Sequence, residues 1–344
     1  MTPIYDRQGK DMKALQASLS HFSMNNSDLV VSGRTVKEIV SGRTPAYIYD
    51  LSVLRKRHLL LRNTLPAELQ IDYAVKANPN VDMLRELGTL YDGFDVASLG
   101  EINRAMAADV APERMSFAGP GKSDVELTES VKLGLGTISI ESEGEMARLC
   151  RICADLDKPI NVLIRINPHF ELSKSGLKMG GGPKQFGVDS ERVPALLHKY
   201  GNDPRVHIRG VHIYAGSQNL NADEIVSAYD KIITFAIELT QTTPVEMEIL
   251  NLGGGFGIPY FAMDEELDIQ AVGAGVASLL ARHRKSLPQT QFKIELGRYV
   301  IGPCGIYAST VLYRKISRDQ VFIVIDGGMH QHLAASGNMG QRLV

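Results

Sequence analysis

A lysine that ends an apolar run is chemically conspicuous, because burial penalises an ammonium far more than it penalises a neutral amine. In YAVKANPN, positions 73 to 80, Lys76 follows Tyr73, Ala74 and Val75 and precedes Asn78 and Pro79. Desolvation there predicts a lowered amine pKa and a nucleophile able to form a Schiff base with a carbonyl. The competing reading is a strand-end lysine whose stem packs and whose head reaches water. Two further stretches carry chemistry. NLGGGFG at 251 to 257 offers backbone amides clear of side chains, which suits a phosphate group, although such glycines also serve tight turns. Ile258 and Pro259, which follow it, deny the run a dinucleotide fingerprint. Glu295 ends the apolar FKIEL, where a carboxylate needs a partner. That partner is either Arg298 in a salt bridge or a protonated ring nitrogen, and Arg298 could instead pair with a phosphate on the glycine run.

The elements that must position these residues follow a regular rhythm. Short apolar runs alternate with amphipathic stretches, from IDYAVKA through GFDVAS, RMSFAG, TISIES, INVLIRINP, HIRGVHIYAG and MEILNLGG to QFKIELG. Such alternation implies parallel strands joined by helical crossovers. Eight units over about 225 residues match an α/β fold of the (β/α)₈ TIM-barrel type, with a doubly wound open sheet as the alternative. The barrel reading places chemistry at the C-terminal strand ends, and unusual polar residues collect there: Lys76, Asp95, Ser98, Glu141, Arg165, Asn167, Tyr214, Ser217, Gln218 and Glu295. Beyond the eighth strand, GIYASTVLYRK and QVFIVIDGG have period-two patterning without intervening helices, as in an all-β second domain. The expected organisation is an N-terminal arm at 1–28, strands joining the β domain at 29–51, the barrel at 52–296 and a partial C-terminal β domain at 297–344.

Composition excludes several partners. A net charge of −2 supplies no electrostatic footprint for nucleic acid or an anionic membrane surface. The N-terminal segment lacks the apolar stretch of a signal peptide and no run approaches a membrane span, so the expected location is the cytoplasm. Cys150 and Cys153 form a CxxC inside MARLCRICADL, a helix interior, where packing is the better reading than redox or zinc chemistry. His330 and His332 lack companions at ligand spacing, so no metal is expected. The glycine-rich stretch 171 to 187 is too long for a simple connection and reads as a substrate-covering loop or a disordered insertion.

An amine, a phosphate cradle and a ring-nitrogen partner together describe pyridoxal 5'-phosphate (PLP). Moreover, YAVKAN, FDVASLGEI, HIYAGSQ, NLGGGFG, ELGRY and DGGM occur in an order and spacing that resemble the fold-type III PLP-dependent decarboxylases, the diaminopimelate, ornithine and arginine decarboxylase group. The details are most similar to the branch that includes decarboxylases of carrier-bound glutamate and exosortase-associated decarboxylases. The resemblance implies an alanine racemase-like barrel in which Lys76 carries PLP as a Schiff base, Asp95 lies near it and Glu295 keeps the pyridine nitrogen protonated. It further implies that Ser217, Gly253, Gly254, Gly255 and Arg298 hold the phosphate. The implied reaction is decarboxylation of an amino acid, diaminopimelate-like or tethered to a carrier protein. A racemase on the same barrel and a non-catalytic PLP-binding regulatory protein are the alternatives.

Departures from the family pattern are local. Tyr214 stands where the family commonly has a ring-stacking histidine, and a tyrosine can also stack. Gln185 replaces a lysine before Phe186 and Gly187. The family's C-terminal cysteine-and-acid motif, donated to the partner subunit, and its phosphate-end tyrosine have no counterpart before Val344, and Cys304 is not placed to substitute. The expectation is therefore a homodimer with shared active sites, weakened by a β domain that is truncated at its C-terminus.

Overall fold

The computed structural model describes residues 19–25, 28–169, 183–214, 216–260 and 264–333, and the backbone of 177–178. Two compact units are present, one formed by Arg57–Gly302 and the other by the flanking segments up to Lys56 and from Pro303.

Within the larger unit, eight strands lie in parallel: β1 (Gln70–Ala74), β2 (Gly93–Val96), β3 (Met115–Phe117), β4 (Thr137–Ile140), β5 (Ile160–Asn167), β6 (Val206–His212), β7 (Ile249–Gly254) and β8 (Gln291–Leu296). Each pairs with its neighbour in chain order, and β8 pairs with β1, so the sheet closes. Closure excludes the doubly wound alternative, whose sheet would keep two free edges. A further two-residue strand, Val188–Asp189, extends from β5. The strands of a closed parallel barrel are covered by side chains inside and helices outside, which is why β2, β4 and β7 are buried at every residue.

The crossovers carry helices α1 (Val81–Leu90), α2 (Leu99–Ala107), α3 (Asp124–Leu133), α4 (Glu143–Leu156), α5 (Val193–Tyr200), α6 (Ala222–Thr242) and α7 (Ile269–His283). Short polar side chains start most of them: Asn80, Ser98, Ser123, Ser142, Asn221 and Asp268 each accept a hydrogen bond from a first-turn backbone N–H. Ser98 and Ser142 each sit two residues past a strand end and so close their βα loops near the face where the chemistry is expected. Cys150 and Cys153 lie buried in α4.

Two irregularities shape the barrel's interior. β7 contains a bulge between Asn251 and Gly254 relative to β8, with Gly253 at φ +67°. β6 is interrupted between Ile208 and Gly210 in the same manner. A bulge re-aims the side chains that follow it, and the one in β7 lies within the glycine run.

The smaller unit is β-structured. Ser23–Asn25, Asp28–Val31 and Arg34–Thr35 form an antiparallel sheet, and Ala46–Tyr49 pairs antiparallel with Gly305–Ala308. Val311–Ser317 and Gln320–Ile325 form a hairpin that is exposed along both strands. His332 belongs to this unit and contacts aromatic residues, with Nδ1 2.9 Å from the Tyr47 hydroxyl and its ring stacked on Tyr307. Among the described residues no His, Cys, Asp and Glu cluster is arranged for a metal, and no helix is long and apolar enough to cross a membrane.

Candidate active site

Lys76 stands just beyond β1, in a single 3₁₀ turn, Val75–Ala77, that ends the strand before Asn78. The register that pairs Ala74 with Asp95 brings the end of β2 alongside, and Lys76 Nζ lies 3.0 Å from Asp95 Oδ2. The lysine side chain is 56% exposed whereas Asp95 is buried. The charge of Asp95 raises the Lys76 pKa above its ordinary value, outweighing the opposite push of partial burial. The depressed amine expected from the apolar strand therefore does not form. Lys76 is held as an ammonium by the Asp95 carboxylate.

Glu295, at the end of β8, is 5% exposed, and burial pushes its carboxyl pKa upward. Its partner is Asn251 of β7, whose Nδ2 donates to Oε1. The salt bridge to Arg298 considered from sequence is not made. Arg298 donates instead to Gln218 Oε1 at 3.0 Å, and its guanidinium lies over the Tyr260 ring. Gln218, at φ +59°, also bonds the backbone of Ile258, so it joins the loops after β6, β7 and β8.

The three glycines have different surroundings. A Cβ on Gly254 would lie 1.7 Å from the Glu295 carbonyl oxygen, one on Gly253 2.9 Å from Tyr214, and one on Gly255 2.2 Å from the Gly216 carbonyl. Gly253 and Gly254 are buried within β7, and the Gly253 N–H is already donated to Asn251 Oδ1. Of the three, Gly255 lines the cavity. Gly254 thus permits close packing of β7 against β8, and Gly253 permits the close approach of Tyr214.

Lys76, Tyr214, Ser217, Gly255, Glu295 and Arg298 line one cavity of about 500 Å³. Burial raises the Tyr214 phenol's pKa, so that group is neutral at ordinary pH. A second cavity of about 440 Å³ shares Lys76, Tyr214 and Glu295, includes Asp95, and extends to Arg165, Phe186 and the Gly119–Lys122 loop. Glu141 organises that side. It accepts from Arg165 NH1 and the Gly119 N–H at 2.7 Å and from the Gly187 N–H at 2.8 Å. Arg165 is thereby aimed over the Phe186 ring. Lys122, also on this wall, is saturated by Gly119 O, Ser139 O and Glu145, so it is a structural pin.

Of the expected covering loop, Leu177–Lys178 pairs antiparallel with Gly216–Ser217 beside the first cavity. Residues 170–176 and 179–182 lie outside the described residues, as do most of the N-terminal arm and positions 334–344.

Sequence reasoning misses the layer beneath the cavity. His212, Asn251 and Ser139 are buried in β6, β7 and β4, with His212 opposite Arg165 on one side and Asn251 on the other. The available signal was a polar residue inside an otherwise apolar barrel strand, two positions before Tyr214 in the case of His212.

A closed parallel barrel whose lysine and buried acid converge on a cavity at its C-terminal rim is the architecture of a barrel enzyme. The model of the pyridoxal-dependent decarboxylases, pyridoxal binding domain, matches residues 51–302, and the chain belongs to this fold-type III family of PLP-dependent amino-acid decarboxylases. The chain is 35% identical over 294 residues to the L-glutamyl-[BtrI acyl-carrier protein] decarboxylase of Niallia circulans, covering 85% of this chain and 69% of that one. It is 30% identical over 327 residues to the diaminopimelate decarboxylase of Aquifex aeolicus, covering 94% and 76%. Among solved structures, it is similar to the Helicobacter pylori diaminopimelate decarboxylase complexed with L-lysine, with a TM-score of 0.78 at 27% identity over 88% of this chain and 76% of that one.

Proposed function

We propose that this chain removes the α-carboxylate of an amino acid, either free and diaminopimelate-like or tethered to a carrier protein, with PLP held on Lys76. The observation that carries the proposal is the convergence of an amine, a buried acid and a guanidinium on one cavity of about 500 Å³. That volume is in the range of cofactor sites. The residues fit the group. Lys76 Nζ would hold it covalently, Glu295 would face the ring nitrogen, and Tyr214 would lie against the ring. Ser217, the Gly255 amide and Arg298 would take the phosphate, with Gly253 and Gly254 shaping the strand beneath. When bound, PLP supplies an electron sink for the pair left on the substrate carbon as CO₂ departs.

The protein's own groups set the proton inventory. Once the substrate amine has taken its place on the cofactor, Lys76 Nζ would be free to carry the proton that Asp95 stabilises and to deliver it to the carbon that loses CO₂. Glu295 is buried, and its carboxylate is relieved by a cation placed before it, so it favours a protonated ring nitrogen. A racemase gains from an unprotonated ring, which an arginine at this position would favour. Glu295 therefore supports the decarboxylase over the racemase.

The domain assignment proposed with this function is the barrel at 52–296, preceded by an arm at 1–28 and strands at 29–51 and followed by β structure at 297–344. A homodimer with shared active sites, working in the cytoplasm, completes the proposal. The identity shared with a carrier-bound glutamate decarboxylase makes tethered glutamate the first substrate to assay.

The test is direct. The purified chain mixed with PLP is expected to gain a near-visible absorbance that borohydride removes, and Lys76→Ala is expected to lose it. CO₂ release is then measured over free and carrier-tethered diamino and dicarboxylic amino acids. An absorbance retained by Lys76→Ala sinks the assignment of the lysine, and binding without CO₂ release across the panel leaves a PLP-binding regulatory protein.

A further inference from the structure

We infer that His212 is a positioning residue for Glu295, presenting a neutral Nε2–H to the carboxylate from inside the barrel and fixing its orientation toward the cavity. The inference rests on reading Glu295 as the ring-nitrogen partner, and adds a residue that neither the motifs nor the resemblance assigns.

Three observations converge on it. First, His212 is 1% exposed, and its Nε2 has no hydrogen-bond partner. Second, that nitrogen lies 3.6 Å from Glu295 Oε2, while Asn251 holds the other oxygen of the same carboxylate. Third, His212 Nδ1 lies 3.1 Å from the Ser139 hydroxyl, which is itself fully buried.

The tautomer follows from these contacts. A proton on Nδ1 would turn the Nε2 lone pair toward the lone pairs of Glu295, a repulsive arrangement between two side chains that are both buried. With the proton on Nε2, Ser139 donates to Nδ1 and Nε2–H points at Glu295. One ring nitrogen's bond thus sets the role of the other.

Charge matters as much as geometry. The ionisable groups around His212 are Lys76, Asp95 on β2, Glu141 beyond β4, Arg165 on β5 and Glu295 on β8. Burial, followed by the charge of Arg165, lowers the imidazole pKa from its ordinary 6.5 to about 3. The ring therefore turns a neutral N–H toward the carboxylate without adding a positive charge. With Asn251 donating to Oε1 and the His212 N–H dipole facing Oε2, the charge of Glu295 is left for a cation on the cavity side. A charged imidazole at 3.6 Å would compete for it.

The experiment uses the full chain, with His212→Gln as the conservative variant, since an amide keeps a neutral donor, and His212→Phe as the variant that keeps bulk and loses the donor. With PLP labelled with ¹⁵N in its ring, wild type and His212→Gln are expected to share a protonated-ring signal. His212→Phe is expected to shift toward the unprotonated signal and to bind PLP about tenfold more weakly, the upper end of the scale for one ordinary polar contact. A merely space-filling histidine predicts the reverse: His212→Phe behaves as wild type, and that result overturns the inference. A second measurement needs no cofactor. In the chain labelled with ¹⁵N-histidine, His212, assigned by its absence from His212→Gln, is expected to stay neutral with Nε2–H between pH 5 and 8. An Nδ1–H or charged ring overturns the inference even if His212→Phe does not fold. Should the wild type gain no borohydride-sensitive absorbance, the cofactor assignment of Glu295 fails, and the histidine spectrum still decides the contact between His212 and Glu295.

Discussion

Asn251 ties Glu295 to the glycine run, its Nδ2 donating to Glu295 Oε1 while its own Oδ1 accepts the Gly253 N–H at 2.9 Å. The side chain is fully buried, so both bonds are made without competition from water. Asn251→Ala would strand a carboxylate oxygen and a backbone N–H together. The expected loss of stability is on the order of 3 kcal/mol, read from the urea midpoint, with weaker PLP binding alongside. Asn251→Asp keeps the acceptor for Gly253 but sets a second carboxylate against Glu295. Its deficit should be largest above neutral pH and shrink as the pH falls, because protonating one acid removes the repulsion. A deficit that does not change with pH would show that the two side chains are not in contact.

The glycine run makes a steric prediction. Ala at 254 would place Cβ 1.7 Å from the Glu295 carbonyl oxygen, a backbone atom that cannot yield without opening the contact between β7 and β8. Gly254→Ala is expected to cost at least about 4 kcal/mol or to prevent folding. Gly121→Ala on the second cavity's wall is the control, since nothing lies within 4 Å of the added methyl and its backbone is not left-handed. Circular dichroism melts of the two variants should differ widely, and equal melts would contradict the packing described for β7.

How much of this is readable without coordinates differs from residue to residue. The barrel is, because each strand needs an apolar run and each crossover an amphipathic one. Lys76, Glu295 and Arg298 are conspicuous because a charge beside an apolar run demands an explanation. The sign of the Lys76 pKa shift is not readable, since it depends on the register that pairs Ala74 with Asp95. The partners of Glu295 and Arg298 are hidden for a related reason: three positions apart in the chain, they suggest each other, but Asn251 on β7 and Gln218 in the loop after β6 claim them. The bulge at β7, which lets Asn251 reach both Glu295 and Gly253, leaves no periodic trace.

Glu141 and Arg165 form a buried pair at the second cavity, with N and O separated by 2.7 Å and side chains 2% and 10% exposed. Their charges hold each other in a medium where neither is stable alone, and Glu141 also anchors Gly119 and Gly187. Removing one partner should cost about 3–5 kcal/mol. Glu141→Leu with Arg165→Leu together should cost less than the sum of the single changes, because the double variant leaves no buried unpaired charge. Urea unfolding of all four proteins measures the coupling. Simple additivity would mean that the pair is solvated and that Arg165 is not held over Phe186 as described.

The depressed pKa of His212 makes its own statement about stability. In the unfolded chain the imidazole takes up a proton near pH 6.5, whereas in the folded barrel it does so only near pH 3. Between those values the unfolded state binds one proton more than the folded state, so acid favours unfolding. The contribution is fully present above pH 6.5 and is lost as pH falls toward 3, by about 1.4 kcal/mol for each pH unit. Glu295 has the opposite sign: its raised pKa lets the folded state take up a proton first as the pH drops, which offsets part of the slope. The contribution of the histidine is therefore read as a difference. Stability of wild type minus that of His212→Gln, measured by urea unfolding of the PLP-free chain at pH 7.5, 6.0 and 5.0, should fall steadily toward low pH. A difference that stays flat across this window would mean that His212 takes up a proton in the folded barrel as readily as in water, in conflict with its enclosure between Ser139, Arg165 and Glu295.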